Sequence, residues 1–231
     1  MNPILDSSPT SLAGAGALTA RNRVLRNTYW LLALSMIPTV LGAWIGVTTG
    51  FARAMSPGIG LIVFLAGAFG FMFAIEKTKN SSAGVPILLA FTFFMGLMLS
   101  RLVGIVLGMN NGAGLIMTAF AGTGVIFLGM ASLSSIIKRD LSSMGKFLFI
   151  GAIMLLVAGI ANVFLQSSAL MITLSVLAIG IFSAFILYDL KRVQDGLETN
   201  YISATLGVYL SIYNVFQSLL ALLGIAGSRD E

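Results

Sequence analysis

The sequence predicts an all-α, polytopic membrane protein: a bundle of seven transmembrane helices. Three observations carry that prediction. Hydrophobic residues make up 58% of the chain and charged residues 9%, against about 25% charged in a soluble domain, and mean hydropathy is +1.00. The apolar residues fall into runs of helical rather than strand length, each near the ~20 residues that cross a bilayer. The basic residues stand in small groups between those runs, as topology signals do. A formal net charge of +5 distributed in this way points to a lipid bilayer and not to nucleic acid.

Residues Met1 to Ala20 are rich in Ser, Pro, Gly and Ala and contain no apolar run. They read as a disordered tail, not a signal peptide, because no basic segment or apolar core precedes the small residues. Residues 21–231 then form a single membrane domain. Its spans run from about Asn27 to Gly50, Pro57 to Glu76, Val85 to Met109, Ala113 to Ile137, Lys146 to Gln166, Ala169 to Asp195, and Tyr201 to Ala226. Pro38 predicts a kink in the first span. Ser56-Pro57 supplies a capping hydroxyl ahead of a proline at the first helical position. Gln166-Ser167-Ser168 forms a tight hairpin. Gly196 ends the sixth helix, and Thr199 or Asn200 starts the seventh.

Alternate loops differ sharply in charge. One side holds Arg21, Arg23, Arg26, Lys77, Lys79, Lys138, Arg139, Lys146, Lys191 and Arg192; the other holds only Arg53 and Arg229. Ten against two predicts a cytoplasmic N-terminus and, with an odd number of spans, a C-terminus on the opposite side. Gly42, Gly46 and Gly50 recur every four residues, as do Gly96, Ser100, Gly104 and Gly108. Such stripes let helices approach closely in lipid, either within one bundle or at a dimer face.

The chain has no cysteine and no histidine, which removes Ser–His and Cys–His nucleophiles and the usual zinc ligands. No second membrane Asp stands ready for an aspartyl protease, no glycine loop leads to a phosphate-binding lysine, and no metal cluster is evident. The expectation is a non-enzyme without a cofactor.

The polar residues inside the spans are therefore the candidates for function. Asp189 lies one and a half to two turns inside the sixth helix. It reads as an ion- or proton-sensing carboxylate, or as a structural residue paired with Lys191, Arg192 or another neighbour. Glu76 ends the second span on the same side; it could share a proton or cation with Asp189, or lie at the surface beside Lys77. Arg101 falls towards the opposite membrane face, suited to lining an outer cavity or to snorkelling. Ser211, Asn214 and Ser218 occupy one face of the last span, with Tyr213 and Gln217 beside it. That stripe reads as interhelical hydrogen bonding or as a pathway lining.

The ILYD run ending at Asp189, the ETNYI segment from Glu198 to Ile202, and the run from Tyr209 to Ile225 resemble the Bax-inhibitor (TMBIM) family. With RVLRNTYWLL, Arg23 to Leu32, the chain is similar to its proteobacterial YccA-like branch over essentially its whole length. The resemblance implies a seven-helix fold with the last helix central. It implies a multi-pass protein of a bacterial inner membrane, C-terminus periplasmic, that binds and restrains the AAA protease FtsH. It also implies, as an alternative, a pH-sensitive calcium leak gated by two aspartates. Asp189 matches the first of these; the second position is Ser211, and no arginine lies between Pro57 and Glu76 to match the family's arginine. Small-molecule export is a third reading of such a composition.

Overall fold

A computed structural model describes residues 9–51 and 53–228, with side chains from Thr19 onward. The described residues form seven helices: α1 Pro9–Thr49, α2 Pro57–Thr78, α3 Gly84–Leu107, α4 Gly112–Ile136, α5 Met144–Leu165, α6 Ser168–Gln194 and α7 Tyr201–Gly227. All seven contain a stretch long and apolar enough to cross a membrane. The chain is thus a multi-pass helical membrane protein. Short loops make successive helices antiparallel. The α1 start and the α2–α3, α4–α5 and α6–α7 loops therefore share one end, the basic end, and the other three loops share the far end.

The N-terminal segment departs from expectation. Residues 9–20 are not a tail but the first turns of α1. Ala and Leu among them are strong helix formers, and Pro9 stands where a missing N–H costs nothing. Met1–Ser8 lie outside the described residues. The membrane-length part of α1 begins at Thr19, so residues 9–18 continue the helix beyond it. Pro38 interrupts neither part; α1 runs through it.

Local signals set the other boundaries. The Ser56 hydroxyl accepts from the Ile59 N–H at 3.4 Å ahead of Pro57. At the α5–α6 hairpin Gln166 takes a left-handed φ of 51°, Asn162 Oδ1 accepts from the Ser167 N–H at 3.0 Å, and Ser167 caps α6 at Leu170. Gly196, at φ 76°, ends the turn after α6. Asn200 caps α7 through Ile202 and Ser203 at 2.9 and 3.1 Å. Its amide also donates to the Lys79 carbonyl and to Asn80 Oδ1, tying two basic-end loops together.

The glycine stripes meet each other. A methyl on Gly42 would lie 2.2 Å from the Phe93 carbonyl oxygen, and one on Gly96 would lie 2.1 Å from that of Thr39. Gly46 faces the Ser100 hydroxyl. The stripes therefore serve packing of α1 on α3 within the bundle. Gly50 and Gly104 leave this pattern: Gly50 has φ +68° just past α1, and Gly104 faces the Arg53 guanidinium.

Helix α7 is central. It packs against α1, α2, α3, α4 and α6, and half of its membrane window is buried, against 6% for α2 and α5 at the periphery. The core around it comprises Ile75, Leu88, Phe91, Met95, Ile186 and Leu190, all fully buried.

Candidate functional site

Helix α7 carries two polar faces with different fates. On the first, the Tyr209 hydroxyl meets the Thr39 hydroxyl of α1 at 2.8 Å and the Thr92 carbonyl of α3 at 3.4 Å. Tyr213 donates to the Met95 carbonyl at 3.3 Å. Phe91 sits edge-on to Tyr209, centroids 6.1 Å apart. Each tyrosine is buried and bonded, so this face fastens α7 to its neighbours. Sequence reading placed Tyr213 beside the polar stripe; its position opposite α3 belongs to this clamp instead.

The second face holds Gly207, Ser211, Asn214 and Ser218, within an arc of about 60° at 3.6 residues per turn. Asp189 of α6 comes against it. A Cβ on Gly207 would stand 2.8 Å from Asp189 Oδ2, so the absent side chain is what admits the carboxylate. One turn deeper, Ser211 is buried and donates to the Gly207 carbonyl at 3.1 Å. Asp189 and Ser211 thus converge on one residue of α7, about 7–8 Å inside the end of α6 at 1.5 Å per residue. Asn214, half-buried, donates to the Leu210 carbonyl at 2.8 Å, which leaves its carbonyl oxygen available.

Neither nearby cation forms a direct ion pair with Asp189. Lys191 pairs with Asp195 at 2.6 Å, and Arg192 lies 3.8 Å from Glu198 and 5.7 Å from the Tyr188 ring centroid. Among the described residues Asp189, half-buried, forms no hydrogen bond or ion pair. The alternative of a direct Lys191 or Arg192 ion pair is therefore not formed, although the Arg192 charge still acts on Asp189. Lys191 follows Asp189 by two residues and points to another face, whereas Asp195 is four residues on.

Glu76 does not join this site. It is exposed and held by Lys79 at 2.5 Å, while Lys77 lies over the Phe73 ring. Helices α2 and α6 do not pack together, so no shared proton or cation site forms between Glu76 and Asp189. Arg101, half-buried, is in the far half of α3, whereas Asp189 lies within two turns of the basic end. Arg53 reaches the Gly104 carbonyl one turn beyond it. Gln217 is exposed, turned away from the interior lining expected of it. The two described cavities open at the basic end, one lined by parts of α1, α4 and α6 and the other by α1 alone; neither reaches Asp189.

These features define a class: a polytopic helical membrane protein whose central helix is fixed by buried tyrosines and faces a lone carboxylate on its neighbour. The chain belongs to the Bax inhibitor family. Residues 21–228 match the family described as inhibitor of apoptosis-promoting Bax1. It is 38% identical over 209 residues to an uncharacterized membrane protein of Vibrio cholerae, covering 90% of this chain and 92% of that one. It is 37% identical over 214 residues to the modulator of FtsH protease YccA of Escherichia coli K12, covering 93% and 94%. The inner membrane protein YccA of Escherichia coli O6:H1 matches to the same extent. These relatives bear out the YccA-like resemblance read from the two ends of the chain.

Proposed function

We propose that this is a non-enzymatic protein of a bacterial inner membrane that binds a membrane-bound AAA protease of the FtsH type and modulates its action. The observation that supports this most is the end-to-end similarity to a relative named for that role, over 93% of this chain. The helical extension of α1 supplies a physical means. Residues 9–18 continue the helix past its membrane-length part at the basic end. The ten-to-two distribution of Lys and Arg favours a cytoplasmic basic end and a periplasmic C-terminus. An ATP-driven protease works where ATP is, so the extension would meet it on that side. Affinity purification from native membranes tests the reading: an AAA protease should co-purify, and its absence would overturn the proposal. Deleting Met1 to Ala20 should lower recovery or alter turnover of the protein. Unchanged co-purification and half-life would remove the extension from the mechanism.

One observation favours a second reading, a calcium or proton leak. Asp189 stands without a partner against Gly207, in line with Ser211 and Asn214. A carboxylate inside a membrane segment is costly to keep and commonly marks an ion or proton pathway. Purified protein in calcium-loaded liposomes provides the test. If Asp189→Asn leaks as wild type does at every pH, this reading fails.

A further inference from the structure

The crevice at the basic end suggests a ligand that neither reading above requires. Arg21, Asn22 and Leu25 of α1, Ser135 of α4, Lys191 and Gln194 of α6, and Asp195 just past it line a hollow of about 340 Å³. A second hollow of about 310 Å³ lies over the same turns of α1, bordered by Asn22, Arg23 and Arg26. Asn22 is common to both, so the two hollows adjoin across one helix turn.

The charge there is one-sided. Asp195 is already paired with Lys191 at 2.6 Å. Arg21, Arg23 and Arg26 are exposed and have no ion-pair partner among the described residues. Arg23 and Arg26 lie about 60° apart on α1 and border the second hollow, so their two fork-shaped guanidinium groups suit the oxygens of one phosphate, whereas Arg21 faces the first hollow. The Asn22 amide adds hydrogen-bonding capacity beside them.

What lies below the arginines decides what carries the phosphate. Arg23 and Arg26 continue at helical spacing into Trp30, Leu34, Ile37, Leu41 and Trp44. These five are exposed by 73%, 45%, 58%, 47% and 63% respectively. This is a continuous apolar ridge on the outside of α1, starting one turn inward from the cations. Trp30 lies one turn past Asn27, where the sequence sets the start of the span, and tryptophan is enriched at such boundaries. A soluble phosphate would use the arginines alone; a phospholipid would use both parts. We infer that Arg23 and Arg26 of α1 form a binding site for an anionic phospholipid, its phosphate held by these two arginines and its acyl chains laid along the Trp30–Trp44 ridge. Basic crevices at helix boundaries hold such headgroups through the same chemistry.

Nanodiscs of mixed phosphatidylcholine and phosphatidylglycerol test the assignment by native mass spectrometry of the lipid retained by the full-length protein. Phosphatidylglycerol should be retained over phosphatidylcholine. Arg23→Gln/Arg26→Gln should lower that preference about tenfold or more, and the corresponding double Lys variant should keep most of it. Lys138→Gln/Arg139→Gln/Lys146→Gln removes three cations from the same end and should retain the preference. Equal retention of both lipids, or equal loss in the two Gln variants, would overturn a localised site. Displacement of the lipid by millimolar inorganic phosphate or glycerol 3-phosphate would reassign the arginines to a soluble phosphate. Displacement by an acidic peptide would reassign them to a protein partner. A melting temperature unchanged in the Gln variants separates binding from folding.

Discussion

The carboxylate of Asp189 on α6 rests against the α-carbon of Gly207 on α7, so closely that a Cβ at residue 207 would come within 2.8 Å of Oδ2. Each residue therefore sets what the other can be. Gly207→Ala should destabilise the protein by about 1–3 kcal/mol, the usual cost of overpacking. Asp189→Ala vacates the same space. The double variant should then cost less than the two single changes summed, with a coupling of about 0.5–3 kcal/mol. Reversible unfolding in detergent measures all three. Strict additivity would show that the two residues do not share this space.

The α1–α3 crossing is less forgiving, because backbone meets backbone. A methyl on Gly96 would approach the Thr39 carbonyl oxygen at 2.1 Å, and no side chain there can swing aside. Gly96→Ala should force the helices apart and cost about 3 kcal/mol or more. Gly180, on the exposed face of α6 with nothing within 4 Å of its Cβ position, provides the comparison. Gly180→Ala should be neutral or stabilising by up to about 1 kcal/mol through helix propensity. Equal melting temperatures for the two variants would contradict the close crossing.

The Tyr209–Thr39 bond joins helices 170 residues apart in sequence, and its two ends are unequally supported. Thr39 also donates to the Ser35 carbonyl at 2.8 Å, so removing the phenol leaves Thr39 satisfied. Tyr209→Phe should cost about 0.5–1.5 kcal/mol, the net value of one such bond. Thr39→Val leaves the buried phenol with only its 3.4 Å contact to the Thr92 carbonyl. That variant should be the more destabilised of the two in the same unfolding assay.

Features governed by length, periodicity or local turn chemistry were legible in the sequence. The seven spans followed from hydropathy, close helix packing (though not which helices meet) from glycine spacing, and the starts of α2 and α7 from Ser56-Pro57 and Thr199-Asn200. The extension of α1 was hidden because its Ala, Gly and Ser suggest disorder by composition, while its alanines favour helix by propensity. Asp189 was harder. Its sequence neighbours offered two cations, but helical geometry sends Lys191 to Asp195, and Glu198 lies close to Arg192. The same geometry gives Glu76 to Lys79 at i+3 rather than to adjacent Lys77. Gln217 shows the limit of reading a stripe: it stands about 60° from Asn214 at 3.6 residues per turn, enough to turn it outward. No local signal could reveal that Tyr209 meets Thr39 or that Gly207 receives Asp189, since helix order in space decides both.

The α4–α5 loop offers a pH dependence of predictable sign. Asp140 accepts from the Ser142 N–H at 2.8 Å and from its hydroxyl at 3.0 Å. Those two bonds, the backbone one foremost and with the charge of Lys191 assisting, hold the Asp140 carboxyl below the usual carboxylate range. Folding therefore favours the ionised form. The contribution is complete above the unfolded value near 4 and is lost as pH falls through the lower folded value. Between pH 6 and 8 it is constant, so Asp140 cannot drive a response there. Ser142→Ala removes the hydroxyl bond and keeps the backbone one. The Asp140 midpoint, followed by carboxyl carbon NMR, should rise part of the way towards its ordinary value. An unmoved midpoint would show that the hydroxyl plays no part, and a fall would contradict the bonding pattern of the loop.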